Sequence, residues 1–359
     1  MSDFNTKFLY AVCKSNQGGN VVVSPVSAAI LLSMLSNAAE PEVSTEIANA
    51  LGCSDMETLN SYCSKTLSIF PSADNSTEVA FANSVWYRDI YTINPVLSKT
   101  MTDIYKAPCF ARDFSQSTLV GEINNWVKDN SKGWIDEIIG TIPVETAAIT
   151  INTLYFKGLW ANPFDIKETA KAIFNGKSGK NSVDMMHNSN LQHYTEGKNY
   201  QAVKMEFGEG VYEAILILPD ENIAPTELLT PETIDNIGKP RYIDCKVNLY
   251  YPKFKLDRQP KTDLRTPLES LGITKIFGTN EFSLFTEKMS LENKIFQKNA
   301  IEFTETGAEG ASVTWSQEVT LPGSGAEETP EMKFDRPFIF LIRHAETGAC
   351  LFGGLINEL

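Results

Sequence analysis

Residues 305–316 read Glu-Thr-Gly-Ala-Glu-Gly-Ala-Ser-Val-Thr-Trp-Ser. The run is built of small residues, with β-branched ones towards its end, and follows directly on an alternating stretch, Ala300-Ile301-Glu302-Phe303-Thr304. A segment rich in Gly, Pro, Ser, Thr and Glu then leads to Phe334. A surface loop has no need of small side chains at alternate positions. A segment that must slip between two existing strands does. Alternate residues of a strand face one side. With Ala308, Gly310, Ser312 and Thr314 turned inward, the buried face is small throughout, which a closed sheet can admit without overpacking. Composition alone favours a flexible acidic linker; the flanking sequence decides between the two.

The chain has 359 residues, 42% of them hydrophobic, enough for a large core. Its longest apolar runs are about strand length, so no membrane partner is expected. A net charge of −14 and a pI near 4.8 argue against nucleic acid, which needs a basic footprint. Basic residues are scattered, and no heparin-type site is evident. The six cysteines, Cys13, Cys53, Cys63, Cys109, Cys245 and Cys350, are irregularly spaced with no CxxC. A chain of this size needs no disulfide staples, and free thiols fit a reducing compartment. Residues 1–12 lack a signal pattern, which favours the cytoplasm, with an extracellular location left open.

No internal repeat or linker is visible, so residues 1–359 read as one domain. Helices are expected over 3–15, 26–38, 42–51, 56–69, 119–130 and 264–271, the second opened by Ser24 as cap and Pro25 in the first turn. Strands are expected over 20–23, 78–87, 147–156, 338–343 and 350–356, and residues 180–256 read as mostly β. Early helices followed by many non-local strands give a mixed α+β fold.

Catalysis finds no positive support. His187, His193 and His344 lack metal-ligand spacing, so no metal or other cofactor is expected. Ser24 reads as a helix cap rather than a nucleophile, and there is no G-x-S-x-G, G-x-G-x-x-G or P-loop. Trp160, just past an apolar strand, reads as strand-end packing. Asn152 lies inside that strand, and its amide must find partners there. It reads equally as a polar latch or a satisfied core residue.

Several segments, in order, together resemble the serpins, protease inhibitors that trap their targets by a fold change. They are Asn20-Val-Val-Val-Ser24-Pro25-Val-Ser27; Phe81-Ala82-Asn83-Ser84-Val85-Trp86; Ile123-Asn124-Asn125-Trp126-Val127 with Gly133-Trp134-Ile135; and Asn152-Thr-Leu-Tyr-Phe156-Lys-Gly158-Leu-Trp160 with Phe164. Tyr251-Pro252-Lys253-Phe254, Leu271-Gly272-Ile273-Thr274, Phe334-Asp335-Arg336-Pro337-Phe338 and Leu351-Phe352-Gly353-Gly354 complete the pattern. The resemblance runs from about Asn5 to Asn357. It implies a monomer with three β-sheets, eight to nine helices and an exposed reactive-centre loop, here residues 305–333. It also implies a non-enzymatic function, suicide inhibition of a serine protease. The protease cleaves the loop as far as an acyl-enzyme, and the cut loop then inserts into the main sheet.

The resemblance assigns the hinge to Glu305, Gly307, Ala308, Glu309, Gly310, Ala311 and Ser312, with Lys253 as partner of Glu305. Ala308 takes the first inserting position, where charge or bulk would impair inhibition. Ser24, Ser27 and Asn152, with Trp160 nearby, fall on the latch that controls sheet opening. The family usually sets a His against that Asn. Gln297 stands there instead, and Gln does not titrate. The bond to be cut, counted from Gly307, is Leu321–Pro322, but Pro322 is a poor leaving-side residue. Counting back from Pro337 points to Ala326–Glu327, because the loop is about five residues longer than usual. Val319–Thr320 or Thr320–Leu321 is therefore favoured. The partner is then an elastase-like serine protease, or a chymotrypsin- or subtilisin-like one. No Arg or Lys lies between Gly307 and Met332, which disfavours trypsin-like targets. Trp315 is bulky for an outward position, and Glu318 would face inward. The alternative is a non-inhibitory serpin acting as carrier or protease substrate. From Gly307 to Leu321 an inserted strand spans roughly 46 Å at ~3.3 Å per residue. Its new ladder bonds, at ~0.5–1.5 kcal/mol each, would rival the ~5–15 kcal/mol of a whole fold, so the uninserted state is expected to be metastable.

Overall fold

The computed structural model describes residues 2–16, 18–70, 76–238, 242–257, 259–278, 280–287, 289–291, 293–308 and 329–359. The chain opens with α1 (Ser2–Ser15), β1 (Val21–Val23), α2 (Pro25–Ser36), α3 (Pro41–Ala50) and α4 (Met56–Ile69). Ser24 caps α2 as its sequence predicts: its side chain accepts from the Ser27 N–H, and Pro25 occupies the first turn. Ten of the twelve α2 residues are buried, so this helix is a core element and not a surface one. Its Ser33 and Ser36 hydroxyls bond back to the carbonyls of Ala29 and Leu32, which lets them be buried.

Next come β2 (Thr77–Arg88), α5 (Pro95–Tyr105), β3 (Cys109–Arg112), α6 (Leu119–Asn130) and β4 (Ala148–Leu159). They are followed by β5 (Ala170–Asn175), β6 (Lys180–Gly197), β7 (Tyr200–Phe207), β8 (Tyr212–Pro219), α7 (Pro231–Gly238) and β9 (Ile243–Leu256). The remainder is β10 (Thr262–Asp263), α8 (Arg265–Ser270), β11 (Asn280–Phe282), β12 (Met289–Leu291), β13 (Phe296–Gln297), β14 (Ile301–Thr304) and β15 (Gly307–Ala308), then β16 (Glu331–Lys333), β17 (Phe338–His344) and β18 (Cys350–Ile356). The 180–256 region is mostly β, as its sequence suggests, with a 3-10 turn at Pro225–Leu228 and α7 between its strands. The sequence reading does not place α5, although Asn94-Pro95 announces it: the Asn94 side chain accepts from the Val96 and Leu97 N–H groups.

Hydrogen-bonded pairing connects fourteen strands, twelve along one path with β16 and β5 branching from it, yet the pairing separates them into three sheets. Long strands link the sheets. The first part of β9 pairs with β6, whereas Phe254–Leu256 pair with β14. Likewise β6 pairs with β5 and β9 over most of its length and with β7 at its end. The sheet of interest runs β3-β2-β4-β15-β14 to the end of β9. On one face α2 packs against β4. On the other, Ile123 and Val127 of α6 join Trp86, Ile135 and Ile151 in a separate apolar cluster.

Phe303 of β14 sits where the sheets converge and is fully buried. Its ring lies 5.6 Å from Tyr251, 5.2 Å from Phe254, 5.1 Å from Phe340 and 6.1 Å from Trp160. Removing it leaves a cavity that four ring neighbours on two strands and a strand end cannot all collapse into. Phe303→Ala should therefore cost about 3–5 kcal/mol in urea unfolding. Ile90→Ala, at a position 74% exposed, should stay within about 0.5 kcal/mol.

Candidate functional site

The two residues of β15 are the key to the site. Gly307 lies opposite Leu159, and Ala308 opposite Gly158, both antiparallel to β4. On its other side β15 pairs with β14, Gly307 against Thr304 and Ala308 against Phe303. The hinge has therefore entered the sheet by two residues, whereas the sequence alone suggests a loop that is wholly exposed. Ala308 is 1% exposed and faces inward, as expected for the first inserting position.

Glycine is required at 307 by both geometry and space. Its φ is +153°, and a Cβ there would meet the Gly158 carbonyl oxygen at 2.1 Å and the Leu159 Cα at 2.8 Å. Both are backbone atoms and cannot swing aside. The preceding turn is tied to the end of β4: the Trp160 N–H donates to Thr306 O and the Phe164 N–H to Glu305 O, each at 2.9 Å. Trp160 combines packing with a polar tether. Its indole stacks on Phe207 at 4.4 Å, and its Nε1–H donates to Thr304 O at 3.1 Å.

The expected Glu305–Lys253 pair is present. Lys253 Nζ lies 2.9 Å from Glu305 Oε2, and the Thr169 hydroxyl donates to Oε1 at 3.1 Å. Burial alone would raise the Glu305 pKa. Lys253, the residue's own backbone N–H and Thr169 outweigh that, and the net shift is downward.

Below β15, no strand among the described residues fills the sheet. Among the described residues, β4 pairs with β2 along one edge and with β15 only at Gly158 and Leu159. Across from the remaining edge run β13 and β14. A cavity of about 750 Å³ separates them, lined by Asn152, Leu154 and Phe156 from one side and by Gln297, Asn299 and Ile301 from the other.

The latch residues gather at the floor of this slot, but not in the arrangement anticipated. Among the described residues Gln297 makes no hydrogen bond to Asn152. The Ser27 hydroxyl donates to Asn152 Oδ1, and Asn152 Nδ2 donates to Asn83 Oδ1 at 2.5 Å. Gln297 instead brackets the Ser24 backbone: it donates to Ser24 O and accepts from the Ser24 N–H, both at 2.9 Å. Asn299 supports it with bonds to Gln297 Oε1 at 3.0 Å and Val22 O at 2.9 Å. The latch thus has two halves, one on each bank, and both are anchored on the first turn of α2. Sequence reasoning missed Asn83 and Asn299 as latch partners; Asn83 lies inside strand β2 and so carries the signal that marked Asn152, whereas Asn299 sits between β13 and β14 beside Lys298 and carries none. Glu309, Gly310, Ala311 and Ser312, and the bond candidates Val319, Thr320, Leu321 and Pro322, lie outside the described residues.

Gly307→Ala should expel the two-residue strand at a cost of about 1–3 kcal/mol. Amide exchange at Ala308 should then rise to the rate of an unpaired loop. A second outcome follows from the depressed Glu305 carboxyl. Its stabilising contribution is fully present above the ordinary carboxylate pKa and is lost as pH falls through the lower, folded value. Glu305→Gln should therefore melt below the wild type at pH 7, by about 1–2 kcal/mol, and the gap should close on acidification.

A family model described as serpin (serine protease inhibitor) matches residues 1–359. Glia-derived nexin of Rattus norvegicus is 28% identical, with 99% of this chain and 92% of that protein covered. Iripin-1 of Ixodes ricinus is 30% identical, covering 95% and 89%. The native state of tengpin, a thermophilic serpin, matches with a TM-score of 0.86 at 27% identity, covering 100% of this chain and 94% of that one. Thyroxine-binding globulin in complex with thyroxine shares the fold, with a TM-score of 0.87 at 24% identity over 99% and 97% of the two chains. With a glycine-gated hinge entering a sheet that holds an open slot beneath it, and a family match over its whole length, this chain belongs to the serpins.

Proposed function

We propose that this serpin is inhibitory and traps an elastase-like serine protease, or a chymotrypsin- or subtilisin-like one, by loop insertion. The observation that carries the reading is the register of β15. Gly307 opposite Leu159 and Ala308 opposite Gly158 start an antiparallel strand on β4. Run on without a slip, that register sets residues 309–318 against 157–148. Thr314 then meets Asn152 at the latch, and Glu309 meets Lys157, an opposite-charge pair across the strands. Gly310, Ser312, Thr314 and Ser316 share the inward face of Ala308. Trp315 falls opposite Ile151, on the α6 side.

In this mechanism the protease serine Oγ attacks the carbonyl of the cut bond. An ester forms to the loop, the peptide bond breaks, and the leaving nitrogen takes a proton as a new amino terminus. The slot then takes up the freed segment as a strand, and the attached protease is carried along before water can cleave the ester. Fast filling of the slot decides the outcome, because slow filling leaves an ordinary substrate.

The experiment mixes the protein with neutrophil-type elastase and with chymotrypsin, followed by denaturing gels and intact mass. The expected product is a covalent complex at the summed mass plus a C-terminal fragment whose mass locates the cut among residues 319–322. Cleavage with no complex from either enzyme would favour the carrier or substrate reading, to which Pro322 and the long loop already lean. Ala308→Arg places a charge at the buried lead position. It should lower the yield of complex roughly tenfold or more and convert the protein to a substrate, while the rate of cleavage is kept.

A further inference from the structure

Asn175-Gly176 is the single Asn-Gly pair in the chain. Asparagine is thermolabile, and it is most so before glycine, where no Cβ hinders the next backbone nitrogen from reaching the side-chain carbonyl. Asn175 ends β5 and is paired with Lys180, which opens β6. Gly176 therefore begins the hairpin turn, and the next three residues of that turn are exposed.

The surroundings of this pair suit a reaction between its two residues. The Asn175 N–H donates to Asp335 O at 2.6 Å and the Lys177 N–H to Asn357 O at 3.0 Å, but the Gly176 N–H makes no hydrogen bond among the described residues. The nitrogen that has to attack is thus the unbound one. A carboxylate lies beside it. The Glu358 side chain occupies the space that a Cβ at 176 would need, so glycine is what leaves room for it. Glu358 Oε1 accepts from the Ser178 N–H, whereas Oε2 is buried and has no hydrogen-bond partner among the described residues. A buried carboxylate oxygen with no donor is unfavourable, and a basic atom beside a free N–H is what proton removal needs. The carboxylate is also held in place. Asn20 accepts from the Asn357 and Glu358 N–H groups at 2.8 and 2.9 Å and donates to Glu358 O at 2.7 Å.

We propose that Asn175-Gly176 is a self-modification site at which Glu358 acts as the base. Glu358 Oε2 takes the Gly176 proton, and the Gly176 nitrogen bonds to Asn175 Cγ. The bond from Cγ to Nδ2 breaks, and ammonia leaves with that proton, closing a five-membered succinimide. Water then opens the ring at either carbonyl, giving aspartate or isoaspartate at 175. The product alters a contact where the chain returns from the reactive-centre loop. Asn175 Nδ2 donates to Asp335 O at 3.1 Å, just after β16 pairs with β9. A carboxylate cannot donate, so two acceptors then face one another and this tie is lost. None of this depends on loop insertion.

The test incubates the full chain near neutral pH, folded and in urea, and follows the tryptic peptide 172–177 by mass and by isoaspartate labelling. The folded chain should convert roughly tenfold faster than the chain in urea, because only the fold brings Glu358 to Gly176. Glu358→Gln keeps the size of the side chain and an acceptor for Ser178, and should convert at the rate seen in urea. Glu358→Asp keeps a carboxylate on a shorter stem and should fall between the two. A folded wild type that converts no faster than the chain in urea overturns the site. A Glu358→Gln variant that matches the folded wild type overturns the role of Glu358. Asn175→Asp supplies one product directly, and its amide exchange at residue 175 should rise roughly threefold or more. Unchanged exchange there overturns the loss of the tie.

Discussion

Two strand edges face one another across a gap, and the rest of the molecule is organised around their being kept apart. The backbone groups of β4 below Gly158 have no strand partner on that side among the described residues. A strand added there would satisfy them. Gly307 and Ala308 take the first two places of such a strand. Glycine at 307 permits the start, since any side chain would strike the Gly158 and Leu159 backbone.

The polar groups around the slot hold the two banks without joining them directly. Both halves of the latch end on the first turn of α2, one through Ser27 and the other through the Ser24 backbone. The buried helix is thus a common foundation, and either bank can shift relative to it at the expense of a few hydrogen bonds. At the hinge, Glu305 is held by Lys253 and Thr169, while Trp160 ties the strand end to Thr304. Above the slot, Lys298 donates to the Glu137 carbonyl and the Lys255 ammonium lies over the Trp134 ring.

Much of this was readable in the residues. The Ser24-Pro25 helix start, the inward Ala308, the strand-end role of Trp160 and the Glu305–Lys253 pair all appear as expected. The misses have physical causes. The helix α5 begins with Asn94-Pro95, a strong start signal, but Thr and Tyr within it weaken its helix propensity. The short α7 has only eight residues and lies between the long strands β8 and β9, so its helical period is hard to tell from a loop. Gln297 was expected against Asn152. Its amide instead finds a donor and an acceptor together on the Ser24 backbone, and a single side chain satisfies both there.

By itself the sequence determined the family, the Ser24-Pro25 helix start and the Glu305–Lys253 pair, because the motifs that mark them are local runs of residues. The tertiary structure decided how far the hinge has entered the sheet, which groups close the latch and what lies over the slot. Those depend on pairs far apart in the chain, such as Gly307 with Leu159 and Lys298 with Glu137. Their distances are fixed only when three sheets and a buried helix pack together.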